Sequence, residues 1–110
     1  DYQQIAEKMM QNMKEEFSSF SPNIAQWMQV MGKLAQDPVD IAVTGNNSIK
    51  LANELQMHFY PVARYSGGEK EDLPLLHGKV KEDKNLIYVC KNKTCLAPVE
   101  SVKAAIDQLK

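Results

Sequence analysis

Apolar side chains recur at two different periods along this chain, and the change from one to the other falls at Asp37-Pro38. Before that point the spacing is helical. Ile5, Met9, Met13 and Phe17 follow one another every four residues, with Ala6 and Met10 alongside. That pattern predicts an amphipathic helix of about four turns, beginning at once from Asp1-Tyr2 with no cap before it. Ser18 to Ser21 interrupt it. Ser21-Pro22 then offers a capping hydroxyl followed by a residue that has no N–H to satisfy, so a second helix is predicted from there. Its stripe is Ile24, Trp27, Met28, Met31, Leu34 and Ala35, and Asp37-Pro38 ends it, because proline disfavours helical geometry in the residue before it. Residues 1–36 read as an antiparallel helical hairpin. All of the 6 methionines except Met57 lie in it, as adaptable packing material.

From residue 37 onward the pattern is that of alternating strands and helices. Val39-Asp-Ile-Ala-Val-Thr44 is short, β-branched and nearly continuous in apolar character, as expected of a strand covered on both faces. Gly45-Asn46-Asn47-Ser48 is the turn after it. A helix follows with Ile49, Ala52, Leu55, Met57 and Phe59 as its apolar positions, ended by Pro61, and Val62 to Tyr65 reads as a second strand. Ser66 to Asp72 is polar, charged and glycine-containing, hence a solvated loop. Beyond Leu73-Pro-Leu-Leu-His77-Gly78 and a charged run from Lys79 to Lys84, Leu86-Ile-Tyr-Val-Cys90 makes a third strand. Pro98 leads into a last helix with Val102, Ala105, Ile106 and Leu109 on one side. Residues 37–110 are thus expected to form a small α/β domain. Its sheet is three-stranded and mostly parallel, with the first strand central and helices on both faces, and the helical hairpin precedes it.

Composition narrows the function classes. With 110 residues, 44% hydrophobic and 25% charged, the chain supports one core and little more. A formal charge of −1, with Lys and Arg scattered among carboxylates, gives no basic stripe to neutralise phosphates, so nucleic acid is not an expected partner. No apolar run approaches the roughly 20 residues needed to cross a bilayer, so no membrane partner is expected. The chain reads as soluble and cytoplasmic. Its uncapped, non-methionine start suggests a piece cut from a longer protein, and any localisation signal would have been lost with the rest.

Chemistry is best sought in Cys90-Lys-Asn-Lys-Thr-Cys95. A strand that turns back through Lys91 to Thr94 brings these two sulfurs within disulfide range, and Lys91 and Lys93 favour a thiolate near the surface. A passive staple is the plainer reading of Cys90 and Cys95, because a thioredoxin-type pair has two intervening residues and lies at a helix N-terminus. Zinc usually takes four N or S ligands, and beyond the cysteines only His58 and His77 are on offer, so no metal or other cofactor is expected. Gly45, Asn46, Asn47 and Ser48 form a weak anion-binding candidate at a helix N-terminus. Turn formation with capping by Asn47 or Ser48 is the simpler account. The carboxylates fall in helix ends and loops, and none is paired by spacing for acid–base work.

Ile41-Ala-Val-Thr-Gly45, then Phe59-Tyr-Pro61, Pro74-Leu-Leu76 with Gly78, and Ile87-Tyr-Val-Cys90 through Cys95 to Pro98 form an ordered set. In this, Pro38 to about Val102 resembles the C-terminal end of the thioredoxin-domain-containing proteins related to the spermatogenesis-associated protein. The resemblance implies a parent with a thioredoxin-like N-terminal domain, an α/α toroid like that of six-hairpin glycosidases and epimerases, and a closing α/β segment. Residues 1–36 would be the last helices of the toroid. The thioredoxin-like cysteine motif is absent from this chain, so activity belonging to it does not carry over. A noncatalytic C-terminal structural module is the expected function, partnered by the rest of its parent or by a second copy through residues 1–36. The alternatives are a thiol-redox accessory using Cys90 and Cys95, and the edge of a carbohydrate-processing toroid.

Overall fold

The β-branched run Val39–Thr44 forms strand β1 and lies inside a four-stranded sheet. The computed structural model describes residues 1–19 and 22–110. After β1 come helices and strands in the order α3 (Ser48–Gln56), β2 (Ala63–Gly68), β3 (Leu86–Lys91), β4 (Thr94–Cys95) and α4 (Val102–Leu109); α1 (Tyr2–Asn12) and α2 (Ala25–Leu34) precede it. The sheet order is β2-β1-β3-β4, so β1 is flanked by β2 and β3 as its apolar character led us to expect.

Strand direction departs from expectation. Only β1 and β2 are parallel, joined through α3; β3 runs antiparallel to β1, and β4, not foreseen, runs antiparallel to β3. The sheet is therefore four-stranded and mostly antiparallel, not three-stranded and mostly parallel. The reason lies in residues 69–85. A parallel return needs a crossover that travels back along the sheet, usually on a helix. This segment instead carries Pro74, Gly78 and scattered charges, and holds only the 3₁₀ turn Pro74–Leu76. Gly68 and Leu86 both lie opposite Thr44, so β3 starts at the end where β2 stopped.

The two faces of the sheet are covered differently. Val39, Ile41 and Val43 of β1 join Ile87 and Val89 of β3 beneath Leu55 of α3 and Ala105 and Leu109 of α4. Both helices thus lie on one face, whereas one helix on each was expected. The opposite face packs Ala42, Leu86, Tyr88 and Cys90 against Leu76 of the 3₁₀ turn. Covering both faces explains why β3 reads as an unbroken apolar run. On α3 the inward positions are Ser48, Leu51, Ala52 and Leu55, the i, i+3, i+4, i+7 set of one helix face. Ile49, Met57 and Phe59, expected to be apolar contacts, are 78%, 85% and 90% exposed. Strand β2 also runs on through Ser66, Gly67 and Gly68, which had read as loop.

The chain divides into two compact units, Asp1–Asp37 and Pro38–Lys110. In the first, α1 ends at Asn12 and Phe17 belongs to a 3₁₀ turn, Glu16–Ser19, so the helix is shorter than its apolar spacing suggested. Nor is its start uncapped, since the Asp1 carboxylate accepts the Gln3 N–H at 3.0 Å. Helix α2 follows the 3₁₀ turn Pro22–Ile24; the cap expected from Ser21 lies outside the described residues. Helices α1 and α2 touch one another, yet Met10 is the one buried residue of α1 and α2 has none. No helix among the described residues is long and apolar enough to cross a membrane.

Candidate functional site

Cys90 and Cys95 are joined by a disulfide, with their Cα atoms 3.8 Å apart. The hairpin that carries them is built from the turn outward. Lys91 pairs with Thr94, leaving Asn92 and Lys93 as a two-residue loop in which both residues have positive φ, 50° and 65°. That is the signature of a type I′ turn, whose twist matches the strands it joins. Asparagine tolerates this backbone well, and lysine does not. Val89 accepts the Leu96 N–H at 2.9 Å, so by alternation the next pair, Cys90 and Cys95, occupies the closely spaced position without backbone hydrogen bonds. Beyond it, Ile87 and Val99 exchange two backbone hydrogen bonds at 2.8 and 3.0 Å, with Ala97-Pro98 bulging between. The chain from Thr94 to Val99 therefore lines the free side of β3.

Register places the disulfide at the end of a row that crosses the whole sheet. Arg64 of β2 lies opposite Asp40 of β1, Asp40 opposite Cys90, and Cys90 opposite Cys95. Residues directly opposite share a face, so a guanidinium, a carboxylate and two sulfurs line up side by side. Arg64 donates to both carboxylate oxygens of Asp40, at 2.7 and 2.9 Å, and this hydrogen bonding holds the guanidinium above its ordinary pKa. Cys90 is buried, 3% exposed, and Cys95 at the margin is half-buried. Lys91 and Lys93 are exposed beside them.

Further along the same face, Tyr88 donates its hydroxyl to the Lys79 carbonyl at 3.0 Å, and the Lys79 ammonium lies 5.9 Å from the Tyr88 ring centre. Burial pushes the Tyr88 and Tyr65 hydroxyls above the usual phenol pKa. Thr44 donates toward the carbonyls of Lys79 and Leu86, each at 3.4 Å. These bonds hold the segment before β3 against the sheet.

The turn Gly45-Asn46-Asn47-Ser48 is closed by its own neighbours. Gly45 N–H donates to the Gly68 carbonyl at 3.1 Å, Ser48 N–H to the Gly45 carbonyl at 3.1 Å, and Asn47 N–H to the side-chain oxygen of Asn85 at 2.8 Å. The N–H groups of Gly45, Asn47 and Ser48 are thereby used within the turn, and neither Asn47 nor Ser48 caps α3 through its side chain, contrary to expectation. His77 Nδ1 lies 3.3 Å from a Glu71 carboxylate oxygen on the surface, and His58, just past α3, is also exposed. Among the described residues no group of three or more His, Cys, Asp or Glu is placed to hold a metal ion.

The cysteines are legible in the sequence, and the residues that organise them are not. The two-residue turn was hidden because lysine stands where glycine would have announced it. Asp40 gave a weak signal as the one charge in an apolar strand, and Arg64 gave none. No family model matches this chain, no curated protein matches it, and no solved structure matches it.

Proposed function

We propose that this chain is a noncatalytic structural module, the C-terminal part of a larger thioredoxin-domain-containing protein of the spermatogenesis-associated type, whose helices pack on the rest of that polypeptide. The observation that carries the reading is the exposure of the first unit's apolar stripes. Ile5 and Met9 of α1 are 55% and 49% exposed, and Met28, Met31 and Leu34 of α2 are 37%, 39% and 41% exposed. Apolar residues at helical spacing that stay this open are suited to bury against further polypeptide. Methionine adapts readily to such a surface.

Oxidative footprinting of the methionines tests this. The chain alone is compared with the same chain joined to the polypeptide proposed to precede it. Met9, Met28 and Met31 should oxidise several-fold more slowly in the longer protein, while Met57, 85% exposed, stays as reactive as before. Unchanged rates at all four would overturn the reading. Slow rates in the isolated chain that rise on dilution would instead identify a homodimer through residues 1–36 as the partner.

A second reading, a thiol-redox accessory using Cys90 and Cys95, is favoured by the disulfide itself. It closes a short hairpin at a sheet margin, where Cys95 is half-buried.

A further inference from the structure

We infer that Cys90–Cys95 is a directional thiol-exchange site, in which Cys95 is the sulfur attacked by an incoming dithiol and Cys90 is the sulfur released. This rests on the thiol-redox reading and adds to it which sulfur does what. Three observations assign the roles.

The first is the order of the strands. A thiolate attacks a disulfide along the axis of the sulfur–sulfur bond, from the side opposite the sulfur that leaves. Cys90 sits on β3, with β1 on one side of it and β4 on the other, and Cys95 sits on β4 at the sheet margin. The line from Cys90 through Cys95 leaves the sheet. The reverse line, through Cys90, runs over β1. The second observation is what stands on that reverse line. Asp40 lies directly opposite Cys90 on the same face, held there by Arg64, so a thiolate approaching Cys90 meets a carboxylate and an occupied position. The third is burial: Cys90 is 3% exposed, whereas Cys95 is only half-buried.

The chemistry balances with a dithiol as the reductant. One thiolate of the dithiol bonds to Cys95 Sγ; the Cys90–Cys95 bond breaks, and its electron pair departs on Cys90 Sγ, which takes a proton from water. The second thiolate of the dithiol then attacks its own sulfur in the mixed disulfide. Cys95 leaves as a thiolate and is protonated, and the dithiol becomes a disulfide. Two electrons and two protons have moved to the chain. The hairpin is the element that responds, because Lys93 at φ 65° holds a backbone that lysine disfavours. Once the bond is broken, Thr94 and Cys95 are held by their strand pairing and by the packing of Cys95 against the Tyr88 face of the sheet.

The test uses the oxidised chain with its native sequence. It is first incubated with dithiothreitol, without denaturant, and free thiols are trapped by alkylation. Both cysteines should become alkylated while the sheet remains folded by circular dichroism. Resistance to reduction until the protein is unfolded would overturn the thiol-redox reading and this inference together. In the second arm, reduced glutathione, a monothiol, is used and the reaction is quenched with acid. The glutathione adduct is then located by mass spectrometry of the peptides. Roughly tenfold or greater excess of adduct on Cys95 over Cys90 is expected. Equal adducts, or an excess on Cys90, would overturn the assignment of roles and leave exchange itself standing. Cys90→Ser and Cys95→Ser variants, each checked for folding, give an independent reading: the single thiol in Cys90→Ser should react with an aromatic disulfide reagent roughly tenfold faster than that in Cys95→Ser.

Discussion

The side-chain oxygen of Asn85 accepts the backbone N–H of Asn47 at 2.8 Å, so a residue just before β3 secures the turn into α3. Gly45 makes room for it, with φ 107° and no side chain; a Cβ there would collide with Asn85 and the Lys84 carbonyl. Asn85→Ala should cost roughly 1 kcal/mol, the usual loss of a capping oxygen. Gly45→Ala should cost more, about 2 kcal/mol or above, since it adds a steric clash to a backbone that alanine avoids. Urea denaturation of the oxidised chain measures both, and equal losses would contradict this account of the turn.

The β3–β4 hairpin makes a paired prediction. Reducing the disulfide, whose cysteines are 5 positions apart, should lower stability by about 2 kcal/mol through the added freedom of the unfolded chain. Lys93→Gly should raise stability by roughly 1 kcal/mol by relieving the positive φ. Denaturation of both proteins, oxidised and reduced, checks it. A destabilising glycine would mean that the turn is not the one described.

Alkaline pH should weaken the fold through Tyr88 and Tyr65. Burial raises both phenol pKa values above the ordinary 10.0, so in the window above that value the folded state binds more protons than the unfolded state. Stability then falls as pH rises through it. The neutral Tyr88 hydroxyl is also needed to donate to the Lys79 carbonyl. Tyr88→Phe, compared with the parent by thermal unfolding, should lose less stability between neutral and strongly alkaline pH. An identical pH profile in the two proteins is the contrary result.

The Arg64–Asp40 pair should matter little to stability, although it is bidentate. Arg64 is 66% exposed on its side chain, and solvent screens such a pair to below about 1 kcal/mol. A double-mutant cycle with Asp40→Asn and Arg64→Met should give a coupling of that size, shrinking with added salt. Coupling of several kcal/mol would require burial that the structure does not have.

Local patterns made most of the second unit legible. The span of β1 and the apolar run of β3 are written in contiguous residues. The start of α4 is legible only from Pro98, and its cap, the Ser101 hydroxyl accepting the Ala104 N–H at 3.3 Å, was not foreseen. Strand direction was not legible, because it depends on where residues 69–85 go, and loops of this composition carry no periodic signal. Faces were misread where two helix faces are both apolar: Ile49 and Met57 look like core until Ser48, Leu51, Ala52 and Leu55 are seen to be the side that packs. The cysteine pair was legible from its spacing. Its neighbours Asp40 and Arg64 were not, since register across three strands is a property of the assembled sheet.

Amide hydrogen exchange on the oxidised chain distinguishes a self-supporting sheet from first helices that open on their own. The amides of Ile41 to Val43 and Ile87 to Val89, buried in the sheet, should exchange only through global unfolding. Those of α1 and α2 should exchange through local opening, at much lower protection and with little dependence on denaturant. Protection in α2 equal to that at Ile41 to Val43 would contradict the account.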